Sequence, residues 1–145
     1  MTKILYSFLI FSSAILFAQK SNNVKFTICN NVVGTAEMFE SHKKEIESFI
    51  VFKATSQLPQ HLKKFNYLAE NGLSEVKLKK NAGTPDIISL AALNEQNTVP
   101  KDKEVIIDGY KFNDTTTEIY SEIIHSISVK EDNGEKYLSI STSDK

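Results

Sequence analysis

One pattern occurs twice in this chain, and few folds can accommodate that. Glu45-Ile46-Glu47-Ser48-Phe49-Ile50-Val51 is followed by Asn71-Gly72 and then Val76-Lys77-Leu78-Lys79. Further along, Ile124-His125-Ser126-Ile127-Ser128-Val129 is followed by Asn133-Gly134 and then Leu138-Ser139-Ile140-Ser141. Both stretches read Ile-x-Ser-apolar-x-Val, an Asn-Gly pair, and an alternating apolar segment at one fixed distance from the Gly. Upstream, Phe26-Thr27-Ile28-Cys29 matches Val105-Ile106-Ile107-Asp108. A pattern repeated along a chain predicts one supersecondary unit used twice. The copies differ by an insert, since nineteen residues separate Val51 from Asn71 but only three separate Val129 from Asn133.

The elements follow from this frame. Val24 to Cys29 is β-branched and aromatic and ends at the turn pair Asn30-Asn31, which predicts a strand. Thr35 caps a short helix to about Lys44, with Ala36, Met38 and Phe39 inward. Phe49 to Phe52 is an unbroken apolar run and is expected to be a strand buried on both faces. The insert supplies its cover, because Leu58, Leu62, Phe65 and Leu68 or Ala69 recur at helical spacing before Asn71-Gly72. Leu73 to Lys79 returns as a strand. Asn81-Ala82-Gly83 is a break, and Thr84-Pro85 predicts the cap and first position of a helix through Ile87, Ile88, Ala91 and Ala92, ending near Gln96. Asn97 to Lys103 is then a polar link. Val105 to Asp108 reads as a strand closed by Gly109. Thr115-Thr116-Thr117-Glu118 has the form of a capping box opening a short helix with Ile119, Tyr120 and Ile123 inward. Ser126 to Lys130 and Tyr137 to Thr142 flank a hairpin turn at Asn133-Gly134, and their alternation leaves one face wet.

The expected fold is therefore α+β: two small βαβ-type repeats with mixed sheets and helices packed on the sheet faces. Residues 19–80 and 104–145 form the repeats, and 81–103 form a helical linker.

The first eighteen residues have the layout of a secretory signal peptide: Lys3, an apolar run from Ile4 interrupted by Ser7, Ser12 and Ser13, and Ala18 before Gln19. The fifteen residues from Ile4 to Ala18 fall short of the roughly 20 that span a bilayer. Cleavage after Ala18 gives an exported protein, periplasmic or secreted, without a stable membrane anchor. Cys29 is the single cysteine, so no disulfide forms within the chain and the fold rests on apolar burial. A small apolar filler in a strand is the commoner fate of such a thiol, against a nucleophile or half of an intermolecular bridge.

Charge excludes one partner class. All seventeen basic residues are lysines, set against eighteen acids, so nothing offers the bidentate fork that phosphate and carboxylate recognition favours. Nucleic acid is not expected as a partner. Lys43-Lys44, Lys63-Lys64 and Lys79-Lys80 stand among acids as ordinary solvated faces.

His42, His61 and His125 are the only histidines and share no helical ligand spacing, so no metal or other cofactor is expected. Asp108-Gly109 lacks the further carboxylates of a calcium loop and reads as a turn. Asn113-Asp114-Thr115 has the form of a glycosylation sequon, a pattern that also arises by chance. The candidate functional feature is the final strand, where Tyr137, Ser139 and Ser141 share one face and an open edge could accept a partner strand. The opposite reading places that strand in the interior of its sheet.

Residues 104–142 resemble the plug domain of TonB-dependent outer-membrane receptors of Bacteroidetes. That family shows V-V-D-G, then D-I-E-S-I-E-V-L-K-D, then N-G-V-I-x-I-T-T; this chain has Val105-Ile106-Ile107-Asp108-Gly109, then Ile124 to Lys130, then Asn133-Gly134 and Leu138 to Thr142. Residues 24–80 repeat the match more weakly, with Cys29-Asn30 where Asp-Gly would stand. A signal ending in Ala-Gln fits secreted proteins of that group. The resemblance implies a small mixed sheet in an envelope setting. The 145 residues hold no run of strands able to build the barrel that a plug fills, so transport is not implied. The expectation is an exported non-enzymatic binding or adaptor module with a protein partner in the cell envelope. The alternatives are a small secreted hydrolase or thiol enzyme using Cys29, and a secreted inhibitor.

Overall fold

A computed structural model describes residues 24–144, so the signal peptide expected over 1–18 lies outside the described residues. Among the described residues ten strands form two mixed sheets, accompanied by two short α-helices and several 3₁₀ turns, which is an α+β architecture. The strands are β1 (Phe26–Cys29), β2 (Val32–Thr35), β3 (Ile46–Phe52), β4 (Leu73–Leu78), β5 (Ile87–Ser89), β6 (Val105–Ile107), β7 (Tyr110–Phe112), β8 (Glu118–Tyr120), β9 (Ser126–Asp132) and β10 (Glu135–Ser141). The helices are α1 (Ala36–Ser41) and α2 (Leu90–Gln96). The larger sheet runs β3-β4-β1-β2-β8-β5 and the smaller β7-β6-β10-β9.

Four strands of each half are joined alike. β1 is antiparallel to β2 and parallel to β4, which is antiparallel to β3. In the same way β6 is antiparallel to β7 and parallel to β10, which is antiparallel to β9. Both opening hairpins turn through two residues with positive φ, Asn30 and Asn31 at 52° and 65°, Asp108 and Gly109 at 49° and 87°. That left-handed pair matches the twist of the flanking strands, and Asn, Asp and Gly tolerate it best. The ladders fix which residues hold the same place. Cys29 corresponds to Ile107, not Asp108, because each lies one residue before its turn. Phe49 faces Val76 where Ile127 faces Ile140, so Val76 corresponds to Ile140 and not to Leu138. Counting from the Asn-Gly pairs misleads by two, since Asn133-Gly134 turns a hairpin whereas Asn71-Gly72 ends the insert.

Several expected elements take another form. Ile87 and Ile88, expected in a helix, form β5 antiparallel to β8, and Ser89 rather than Thr84 caps α2 by accepting from Ala92 N at 3.1 Å. The expected linker thus contributes a strand to the larger sheet and buries Leu90, Leu93 and Asn94. Glu118 to Tyr120 is a strand between β2 and β5, not the first turn of a helix. Asp114 takes the hydrogen bond from Thr116 N, so the capping box never closes and the β-branched and aromatic pair Ile119-Tyr120 extends. The insert is a 3₁₀ run, Gln60–Leu68, whose buried residues are Leu62, Phe65 and Leu68. Their strict period of three suits the three residues per turn of that helix.

The larger sheet is covered on both faces. On one side Gly34 admits α1: a Cβ there would stand 2.7 Å from the Phe39 ring and 3.2 Å from that of Tyr120. Phe39 and Tyr120 meet edge to face at 5.8 Å. On the other side Phe26 packs edge-on against Tyr110 and Phe112 of the smaller sheet, at 5.0 and 5.9 Å, and Tyr67 of the insert also meets Phe112. One apolar core runs through both halves. β3 departs from expectation here. Ile50 is 50% exposed, and among the described residues only β4 flanks this strand.

Candidate interaction surface

The smaller sheet buries one face. Leu138 and Ile140 of β10, Val105 and Ile107 of β6, and Phe112 of β7 point into the core. The alternate residues therefore point outward, and this is where Tyr137, Ser139 and Ser141 lie. The ladder places Lys130, Ser128 and Ser126 of β9 directly opposite them, and Ile106 beside Ser139. The result is a flat patch with four serines in a square, bordered by a tyrosine and a lysine. Tyr137, Ser139, Ser141 and Ile106 are half-buried, whereas Ser126, Ser128 and Lys130 are exposed.

Of the two readings of the final strand, the structure shows the interior one. β10 is paired on both sides, by β6 and by β9, so its backbone is not free to accept a strand. The open edge belongs to β9, from Ser126 to Asp132, where six of seven residues are exposed, including Val129 at 47%. Nothing in the sequence near β10 shows this, because its parallel neighbour β6 comes from about thirty residues upstream.

Ion pairs frame the patch. At one end Lys103 reaches Glu135 and Lys111 reaches Glu104 at 3.4 Å, around a hollow that Ile106 and Tyr137 also line. The hydrogen bond from Lys103 holds the Glu135 carboxyl below its usual value, and Glu135 raises the Lys103 ammonium in return. At the other end Lys25 lies 2.7 Å from Asp108, which also accepts from Thr142 N at 3.0 Å and from the Thr142 hydroxyl. Burial by itself would raise the Asp108 carboxyl, but these donors outweigh it and hold the group below the ordinary carboxylate range. Asp108 is thus a clasp joining the β6–β7 turn to the end of β10 and to the approach to β1.

The remaining candidate residues are dispersed. Cys29 is fully buried in β1, and its carbonyl accepts from the Tyr120 hydroxyl at 3.1 Å. Burial raises the Tyr120 phenol, and it pushes that of Tyr67 up to about 12. Each histidine faces an acid: His61 meets Glu75 at 2.7 Å and His125 meets Asp144 at 2.9 Å. His42 lies between two, Glu122 at 2.9 Å and Glu45 at 3.3 Å. The described residues bring together no group of three or more His, Cys, Asp and Glu placed to hold a metal ion. No helix among them is long and apolar enough to cross a membrane. Asn113 and Asp114 of the sequon are exposed and Thr115 is half-buried.

No protein-family model, curated protein or solved structure matches the chain.

Proposed function

We propose that this protein is an exported, non-enzymatic binding module, made of two copies of one unit resembling the plug of TonB-dependent receptors. Its partner is a protein of the cell envelope that adds a strand to the smaller sheet along β9 and lies against the serine patch. One observation carries this: among the described residues, β9 combines an edge that no strand pairs with an outward face that no element covers. Strand addition draws affinity from the main chain and specificity from alternate side chains, here Ser126, Ser128 and Lys130. What supports the duplication is the shared strand order, with identical pairing senses and hairpin turns in both halves. The thiol-enzyme alternative loses ground, since the Cys29 side chain lies inside a central strand, out of reach of a substrate.

A photo-reactive residue in place of Ser128 tests the docking. It should cross-link one envelope protein in living cells, and Val129→Pro should abolish the product while the fold is retained by circular dichroism. Cross-linking that persists in the proline variant would reject β9 as the site. Cys29→Ser should leave the product unchanged; loss of a measurable turnover in that variant would favour the enzyme. Terminal sequencing of the native protein should begin at Gln19, and intact Met1 would overturn the export reading.

A further inference from the structure

The hairpin of β9 and β10 specifies what kind of strand the β9 edge can receive. Asn133-Gly134 is a two-residue turn with both φ positive, and it closes on the pair Asp132 and Glu135. In such a hairpin the closing pair exchanges both main-chain hydrogen bonds, and bonded and non-bonded pairs alternate from there. The ladder runs without a bulge from Asp132 to Ser126, so Asp132, Lys130, Ser128 and Ser126 direct their main-chain groups to β10. Glu131, Val129 and Ile127 therefore aim theirs the other way, and among the described residues no strand takes them. An antiparallel partner, the more stable sense, bonds at those three residues.

The side chains of each face set the chemistry. Ile127 and Val129 stand opposite Ile140 and Leu138 on the core side of the sheet, where Ile127 packs against the core and Val129 is 47% exposed. Apolar partner residues beside them extend that layer and cover Val129. On the outer face stand Ser126, Ser128 and Lys130. Lys103 and Lys111 at the nearby hollow have Glu135 and Glu104, whereas Lys130 has no carboxylate within ion-pair distance among the described residues. Of the two acids in the strand, Glu131 stands opposite Lys136 on the core side and Asp132 lies at the hollow with Lys103. We propose that the partner strand runs antiparallel to β9 and carries, in order, an acid opposite Lys130, an apolar residue opposite Val129, a hydroxyl residue opposite Ser128, an apolar residue opposite Ile127 and a hydroxyl residue opposite Ser126. Opposite charges, apolar pairs and paired hydroxyls are the favoured cross-strand neighbours at those places. This rests on β9 being the docking edge, and adds a direction and a sequence class to the partner.

Two labelled peptides of identical composition provide the test: Gly-Glu-Val-Thr-Val-Thr-Gly and the same residues reversed, Gly-Thr-Val-Thr-Val-Glu-Gly, both with capped ends. By fluorescence anisotropy the forward peptide should bind the mature chain with a dissociation constant of roughly 10–1000 μM, since a single added strand is a small interface. The reversed peptide should bind about threefold more weakly, because its acid then meets Ser126 instead of Lys130. Lysine in place of the forward peptide's acid should weaken binding about tenfold on the parent, and Lys130→Glu should reverse that preference. Amide hydrogen exchange should slow at Ile127, Val129 and Glu131 when the forward peptide binds, while Ser126, Ser128 and Lys130 are slow without it. A reversed peptide that binds as well as the forward one overturns the direction, and a charge preference unmoved by Lys130→Glu overturns the acid. Binding by neither peptide overturns both; the cross-link from position 128 to an envelope protein then separates a wrong partner pattern, in which it persists, from a wrong docking edge, in which it is absent.

Discussion

The two sheets share a four-strand plan and treat their surfaces in opposite ways. The larger has α1 on one face and the insert and the smaller sheet on the other; the smaller has a core-facing side and a bare one. In the larger, β1 is buried throughout, Phe26, Thr27, Ile28 and Cys29 all being closed off, and even the hydroxyls of Thr27 and Ser74 satisfy each other at 2.6 Å. In the smaller, β10 alternates buried Leu138 and Ile140 with half-buried Tyr137, Ser139 and Ser141. One strand order thus serves either as a filling layer or as a platform, and the neighbours along the chain decide which. The eighteen residues between β3 and Asn71 have no counterpart in the second half, and they mark the half whose sheet is interior.

The strongest way to break this contrast is to remove the cover. Replacing residues 53–72 by a short turn like that of the second half should strip the insert's share of the cover, Leu58, Leu62, Phe65 and Leu68, from the buried core, with loss of the cooperative thermal transition and aggregation by light scattering. A milder version is Leu62→Ala, expected to cost about 2–5 kcal/mol in denaturant titration. Ser128→Ala on the bare face should stay within about 0.5 kcal/mol of the parent. If both substitutions cost the same, the two faces do not differ as described.

The opposite face of the larger sheet is probed at Gly34. Gly34→Ala drives a methyl into the rings of Phe39 and Tyr120 and should cost about 1–3 kcal/mol. Thr35→Ala removes the acceptor that Met38 N uses at 3.1 Å and should cost about 1 kcal/mol. An unchanged melting midpoint in Gly34→Ala would mean that α1 does not press on the sheet.

The smallest effect concerns the tie between the halves. His42 follows α1, and Glu122 lies in the 3₁₀ turn after β8; their hydrogen bond raises the imidazole above its ordinary value of 6.5, burial lowers it less, and Glu45 at the second ring nitrogen adds to the rise. The folded state therefore holds the proton more tightly than the unfolded chain. The stabilisation is fully present below pH 6.5 and is lost as pH rises through the folded value. The midpoint difference between the parent and His42→Gln should be largest below pH 6.5 and shrink as pH rises above it. A difference that grows with pH would reverse the assignment.

Periodicity along the chain made much of this fold legible. Ile-x-Ser-apolar-x-Val falls in both β3 and β9, each antiparallel to its neighbour at the edge of its sheet, and Thr35 announced its cap. β2 and β7 were harder to see, being short strands behind two-residue turns, although Asp108-Gly109 is a hairpin signal. What local pattern could not reveal was neighbourhood. β3 was expected buried on both faces because Phe49 to Phe52 is apolar, yet Ile50 is half exposed, and which strands flank it is not written in the run itself. β10 was open to both readings, edge or interior, and β6, arriving there by a long parallel crossover, makes it interior. The serine face of Tyr137, Ser139 and Ser141 was legible because alternation is local, and its edge was not.

The place of β8 bears on how the chain comes to be folded. β2 gains its second neighbour only from residues 118–120, and β5 pairs only with β8, so the larger sheet stays unfinished until most of the chain is available. The β1–β2 hairpin closes early and locally, but β2, fully buried in the finished fold, waits more than eighty residues of synthesis for its second neighbour. Such a chain folds as one unit late in its making. A fragment ending near residue 103 should depend on a chaperone to remain in solution, whatever stability its first four strands would seem to offer.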